Sequence, residues 1–423
     1  MTHPFLPRLL PLALGAALAL AACGGSGGDD DDGHNAELID SAGLLALTES
    51  GSATVRVLNL DDDSTAASVQ AASAAPTLYG SPGGRYALLI QSEANQVQIL
   101  DGGLWREDHG DHLHDYRAAP SLLGTPISGV TPGHYQDHEG VGAIFMEGDA
   151  NTGAPAGVHR VTDASLGSAS PSSAFDAGTA VHGLAEPRGS YMLVSARTDD
   201  APSALPNVID LYHQNAQQQW TLVQRLDGQC PGMHGSASNA SYSAFGCTDG
   251  VLLVQQQGDQ FSTQKIANPE GLPEGVRISS LRGHAQVGQF IGLARGGRVF
   301  SIDPAAGSIA PVAWSSAAEP GFRTVTFNRT GSRLMILDTQ GTAHWLDSTQ
   351  QWRVSGSASA IAQMPSSAPY PWTVSSGARD EFFVTDPQGR QVVVLDGEQP
   401  AVKRQIALDF APADVAWMGI KTP

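Results

Sequence analysis

"YMLVSARTDDAPSALPNVIDLYHQNAQQQWTLVQRL", Tyr191–Leu226, contains three short runs of aliphatic, β-branched and aromatic residues, "YMLVSAR", "VIDLYHQ" and "WTLVQRL". Asp, Pro, Asn, Ser and Gln fill the gaps between them. Short apolar runs bounded by turn formers read as strands, because a helix needs a longer stretch with apolar residues every three or four positions. The same pattern recurs along the chain. "YALLIQS" precedes "QVQILDG", "FIGLARG" precedes "RVFSID", and "EFFVTDP" precedes "QVVVLDG". A helical period is hard to find anywhere after Glu37.

Each group of runs is preceded by one further short segment, and aligning these segments gives a repeat. Corresponding positions fall at Leu78, His134, His182, His234, His284, Thr324, Trp372 and Ala413. The spacings run from 40 residues (His284 to Thr324) to 56 (Leu78 to His134). Four strands in each such interval are the mark of a propeller blade, a twisted sheet that buries its faces only against its neighbours in a ring. The expected fold is therefore an all-β β-propeller of eight four-stranded blades, or seven if the weaker repeats are misparsed. "LLALTES", "TVRVLNL" and "ASVQAAS" supply three strands before Leu78, and "FAPADVAW" supplies one at the other end. Joined in one blade, they close the ring.

The N-terminus suggests an exported, anchored chain. Residues 1–22 hold one early cation, Arg8, then an apolar run from Leu9 to Ala22 that is short for a membrane span. "LAAC", Leu20–Cys23, resembles a bacterial lipobox, so cleavage before Cys23 and lipidation of its thiol are expected. Gly24 after the cysteine fits outer-membrane sorting, which places the chain in the periplasm. Residues 23–37 then read as a lipidated cysteine plus a flexible acidic tether, and 38–423 as the propeller. A net charge of −19 makes nucleic acid a poor partner and leaves the lipid as the only link to a membrane. The chain is expected to be a monomer.

Two further cysteines, Cys230 and Cys247, form an even pair in an exported protein and are expected to be disulfide-bonded. Read as a hairpin, "CPGMHGSASNASYSAFGC" places its turn at "SASN" and sets the cysteines opposite each other on adjacent strands. The bond would clamp the strand that presents His234.

Thirteen histidines are distributed unevenly. In the repeat alignment, His134, His182, His234 and His284 stand near the start of the innermost strand of four consecutive blades, where side chains converge on the channel. Each has a glycine neighbour in "TPGHYQDH", "TAVHGLAE", "CPGMHGSA" and "LRGHAQVG". "HGDHLHDY", His109–Tyr116, adds His109, His112 and His114 on a long connection, read as running from the rim of one blade to the hub of the next. Extended backbone would point His112 and His114 to one side. Imidazoles clustered in this way suit Zn2+, with a carboxylate or water as a further ligand. Asp111 and Asp115 are candidates to fix imidazole tautomers, and Asp115 alternatively to ligate. The connection is expected to carry its histidines over the channel mouth where His134 begins its strand. His159, His213 and His344 fall in middle or outer strands and read as packing, and His138 as part of a turn.

"EDHGDHLHDY" (Glu107–Tyr116), together with "CPGMHGSA" (Cys230–Ala237) and "AFGCTDGVLL" (Ala244–Leu253), resembles the AztD-type periplasmic zinc metallochaperones. The resemblance implies a propeller, not an enzyme, that passes zinc to the solute-binding protein of a zinc ABC transporter. It implies zinc ligation by His109, His112, His114, His134, His182 and His234. Two other classes compete with this reading. One is a metal-free recognition propeller. The other is a metal-dependent hydrolase, which would want more carboxylates at the hub.

Overall fold

The computed structural model describes residues 38–422. The expected signal segment 1–22, the expected lipidation site Cys23 and the expected tether lie outside these residues. Among the described residues the chain forms eight antiparallel blades, seven of four strands and one whose outer edge is split between two short strands, and one separate two-stranded sheet. In every blade but the one that joins the two ends of the chain, the strands follow one another in sequence from the innermost outward. No helix among them is long and apolar enough to cross a membrane.

Ring closure follows the expected scheme. Leu44–Glu49, Thr54–Asn59 and Thr65–Gln70 form the outer part of blade 1, and the C-terminal strand Pro412–Met418 is its innermost member. Leu45 pairs with Trp417 and Leu47 with Val415. The other innermost strands are Thr77–Gly80, Pro132–His138, Ala185–Arg188, Ser236–Ser238, Ile278–Arg282, Phe322–Phe327 and Thr373–Ser375, in blades 2 to 8.

Packing explains why the ring must close. The buried apolar side chains form eight clusters, and each joins a blade to the next one. Leu193, Ile209 and Leu211 of blade 4 meet Phe245, Leu252 and Val254 of blade 5. Phe383, Val392 and Val394 of blade 8 meet Leu45, Leu47 and Leu58 of blade 1. Second strands such as Tyr86–Gln91, Val141–Met146 and Glu381–Asp386 are buried at every position, because both faces of the sheet are covered.

Two sequence expectations about local topology are corrected. The segment after Asp101 does not run directly from rim to hub. Leu104–Asp108 and Leu113–Arg117 pair as a separate two-stranded hairpin, Asp108 opposite Leu113, with His109–His112 at its tip. The chain then returns to blade 2, where Ser121–Leu122 and Ile127–Ser128 complete its outer edge against Gln96–Asp101. The excess length is thus an insertion ahead of the fourth strand.

The disulfide between Cys230 and Cys247 is present, but not as a rung between paired strands. Ser236 pairs with Phe245 and Ser238 with Ser243, so the turn lies at Asn239–Ser241, beyond "SASN" in register. His234, not Cys230, donates its N–H to the carbonyl of Gly246 (2.9 Å). Cys230 lies instead in the connection that follows the last strand of blade 4, where its N–H donates back to the Asn207 carbonyl (2.8 Å). The bond therefore staples the blade 4–5 connection to blade 5. Replacing both cysteines by serine is expected to lower stability by about 2–5 kcal/mol. Denaturant melts of the oxidised chain and the double variant measure this directly.

Candidate functional site

The innermost strands run in one direction along the channel, so the ring has an upper face where they begin and a lower face where they end. His134 is the third residue of Pro132–His138, His182 stands three residues before Ala185–Arg188, and His234 two before Ser236–Ser238. All three therefore lie at the upper end of blades 3, 4 and 5. Their ring centroids are 4.6 Å (His134–His182), 5.4 Å (His182–His234) and 6.1 Å (His134–His234) apart. One ring nitrogen from each lies within 4.8 Å of the other two.

Neighbouring groups fix two of the rings. His182 Nδ1 is 2.6 Å from Glu147 Oε1, and His234 Nδ1 is 3.0 Å from the Ser279 carbonyl oxygen. Carboxylate and carbonyl oxygens accept, so each Nδ1 carries the proton and each Nε2 presents a lone pair. Local glycines make these approaches possible. A Cβ at Gly133 would come within 2.5 Å of Glu147 Oε1, and one at Gly235 within 2.5 Å of the Ser279 carbonyl oxygen. Gly235 also has φ +77°, a region that favours glycine.

Electrostatics divide the three rings. Burial, with the adjacent His182 and His234, pushes His134 down to about 4, so its imidazole is neutral at physiological pH. Glu147 raises His182 from its ordinary value through their hydrogen bond. Glu147 was not singled out from the sequence; its only signal is an acid directly after the buried run "VGAIFM". Glu147→Gln is expected to weaken zinc binding at the triad by roughly 10–100-fold, the usual effect of losing an outer partner of a metal-bound imidazole. Competition with a chromophoric chelator gives the ratio.

The "HGDHLHD" histidines form a second, separate group. His109, His112 and His114 each offer a ring nitrogen within 4.8 Å of the others. The hairpin leaves blade 2 at Asp101, which pairs with Tyr86, and Tyr86 accepts a hydrogen bond from Ser81, the residue after the innermost strand. It is thus rooted at the lower face. The expectation that it overhangs His134 at a single mouth is corrected: the antiparallel return of the third strand sets it at the opposite end.

The hairpin is also more ordered than a loose loop. His114 stacks on Tyr116 (4.5 Å), Tyr116 on Trp105 (5.0 Å), and the Arg85 guanidinium lies 3.9 Å over Trp105. Arg85 is in turn held by both carboxylate oxygens of Asp101. Asp115, expected as a tautomer partner or ligand, does neither. Its carboxylate receives Arg106 Nε (2.6 Å), Arg106 Nη2 (2.9 Å) and the Ile39 N–H (2.8 Å). Arg106 holds it below the usual carboxylate range despite burial. Asp111 does fill the expected outer role, with Oδ1 2.8 Å from His112 Nδ1.

The other five histidines among the described residues are accounted for locally. His284 lies past the end of Ile278–Arg282, so it belongs to the lower face and joins neither group. Its Nε2 donates to the Arg329 carbonyl (3.1 Å), and its Nδ1 accepts from the Gln286 N–H (3.2 Å). His138 is buried at the end of its strand and accepts from Arg188 Nη1 (3.0 Å). His159, His213 and His344 sit in third strands, against Ser172, Tyr191 and Asp338 respectively.

No protein-family model matches the chain. The chain is similar to the zinc chaperone AztD of Citrobacter koseri, with 29% identity over 224 residues, 51% of this chain and 48% of the relative. The match thus spans about half the length of that curated relative. Two solved structures of Citrobacter koseri AztD, one of them the apo form, superpose with TM-scores of 0.74 and 0.73 at 22% identity, covering 88% of this chain and 96% of theirs. A dihydro-heme d1 dehydrogenase, NirN, reaches a TM-score of 0.56 at 12% identity, over 90% of this chain and 76% of its own. At these identities the structural likeness establishes the propeller fold alone.

Proposed function

We propose that the protein is a zinc-binding chaperone rather than an enzyme. It holds Zn2+ at His134, His182 and His234, takes a further ion at His109, His112 and His114, and passes metal to another zinc-handling protein. The observation that carries this reading is the meeting of three imidazoles from three separate blades, with two of them oriented by outer hydrogen bonds. Similarity to AztD supports zinc as the cargo. Three imidazoles leave a fourth coordination position open, through which an incoming ligand can begin exchange. The acceptor we infer is the periplasmic solute-binding protein of a zinc ABC transporter. In this reading the mature chain is a monomer in the periplasm, lipid-anchored at Cys23 to the outer membrane. The segment following the tether meets the fold at the hairpin, through the Ile39–Asp115 hydrogen bond.

Zinc titration of the purified chain, followed by mixing with a candidate binding protein, tests both halves. Retention of no zinc against a weak chelator would end the proposal. A zinc-loaded chain that never transfers metal would leave it a reservoir.

A pH dependence follows from the two shifted rings. Zinc and protons compete for the imidazole lone pairs. His182, raised by Glu147, takes up a proton first as pH falls, whereas His134 stays neutral down to about 4. Triad affinity is therefore expected to fall by about one order of magnitude per pH unit once His182 protonates, as for a single competing proton. Glu147→Gln should move that onset to lower pH. An onset unchanged in the variant would contradict the assignment.

A further inference from the structure

The three blades that supply the channel histidines also supply a polar layer beneath them. Gln136 stands two residues beyond His134, Ser236 two beyond His234, and Glu186 four beyond His182. Gln136 Nε2 donates from blade 3 to the Ser236 carbonyl of blade 5 (2.9 Å) and reaches its hydroxyl (3.3 Å). Ser238 Oγ donates to Glu186 Oε2 (2.6 Å). Glu186 is only 1% exposed, and its Oε1 has no hydrogen-bond partner. Arg188, 2% exposed, does not satisfy it. Its Nε donates to Ser243 Oγ (3.0 Å) and its Nη1 to the Asn239 carbonyl (2.8 Å) and His138, while Nη2 is itself unpartnered.

An orphaned carboxylate oxygen in such a place is expensive and calls for a neutralising partner. The nearby Arg188 guanidinium favours the anion by its charge but spends its hydrogen bonds on other groups, which leaves Oε1 without a donor. The oxygen-bearing side chains beside it are those of Ser236 and Ser238, and Ser238 also borders a cavity below the histidines. That cavity, of about 540 Å³, is lined by Ser238, Asp137, Arg282, Asn328 and Lys421.

We propose that Glu186 is the anionic ligand of a second, weaker divalent-cation station, one layer below the histidine triad and bordered by Gln136, Ser236 and Ser238. The inference rests on the zinc reading of the triad and extends it inward. One carboxylate with neutral oxygens holds a borderline ion such as zinc less tightly than three imidazoles do. With the triad intact, the station thus fills second, because the imidazoles take the first ion more tightly. Burial pushes the Glu186 carboxyl up to about 7, against the Ser236 and Ser238 hydroxyls and Arg188, which favour the anion. A dication beside it would favour the ionised form.

The test uses the full chain carrying His112→Ala and His114→Ala, so that the hairpin contributes nothing, titrated with Zn2+ alone. Two equivalents are expected in the channel, one tight and one weak. Adding Glu186→Gln, close in shape but uncharged, should abolish the weak equivalent and leave the tight one unchanged. Adding His134→Ala and His182→Ala instead should remove the tight equivalent and spare the weak one. Retention of both equivalents by the Glu186→Gln chain, or a single equivalent before that change, overturns the proposal. Absence of the tight equivalent alone indicts the triad instead. Should Glu186→Gln impair folding, an anomalous difference map of zinc-soaked crystals of the unsubstituted chain decides, by a peak beside Glu186 or none.

Discussion

Replacing His234 by alanine is expected to remove one tightly bound zinc equivalent while leaving a second, at the hairpin, untouched. The loss at the triad should exceed the roughly 10–100-fold that follows from disturbing a mere outer partner, because a direct ligand disappears. His112→Ala with His114→Ala should do the reverse. The two effects should add, since the groups share no residue and are rooted at opposite ends of the strands. Isothermal titration of the three chains distinguishes this from a single mixed site, in which either change would abolish both equivalents together. The hydrolase class makes a different forecast, namely turnover of ester or lactone substrates that disappears with His134→Ala. A metal-free recognition propeller would keep its partner through all of these substitutions.

Truncation after Phe410 is expected to abolish cooperative folding. The lost strand Pro412–Met418 is the innermost member of blade 1 and contributes to two interfaces at once. Ala416 and Met418 pack between blades 1 and 2, and Val415 and Trp417 between blades 8 and 1. Burying a large apolar side chain is worth about 1.5–3 kcal/mol. Val415, Trp417 and Met418 together thus approach the ~5–15 kcal/mol that separates a typical folded domain from its unfolded chain. The truncation also strips the ladder partner from Leu44–Glu49 and opens a seam in the ring. A sharp thermal transition within a few degrees of the full chain, followed by circular dichroism, would show that closure matters far less than the interfaces imply.

Sequence reading succeeded where a local pattern has one physical outcome. Runs such as "YALLIQS" and "VGAIFMEG" are apolar at nearly every position because second strands are covered on both faces, so strand type and blade period were legible from composition alone. The terminal strands were legible for the same reason, as an incomplete set at each end. His134, His182 and His234 could be placed together because a ring puts equivalent positions of its blades around one axis.

Failures came where the outcome depends on register or on a distant neighbour. His284 fits the histidine pattern by spacing, yet it falls beyond its strand rather than before it, because that blade begins its innermost strand earlier relative to the histidine. The cysteine pairing was readable, but not its geometry, since Cys230 takes its position from blade 4 instead of from the hairpin partner of Cys247. Asp115 reads as a ligand in "HLHDY" until Arg106 and the Ile39 N–H claim its oxygens. Glu186 and Arg188 in "AEPR" were not singled out from the sequence, and only the closed ring buries them.

By itself the sequence determined the strand content, the repeat, the closure by both termini and the identity of the candidate metal ligands, because these depend on side-chain chemistry and short-range periodicity. Tertiary structure alone decided that the histidines form two groups rather than one, that Glu147 orients the upper group and that Glu186 is buried with an unmet oxygen. Such matters depend on which strand ends share a face and which side chains approach across blade boundaries, and no local pattern encodes either.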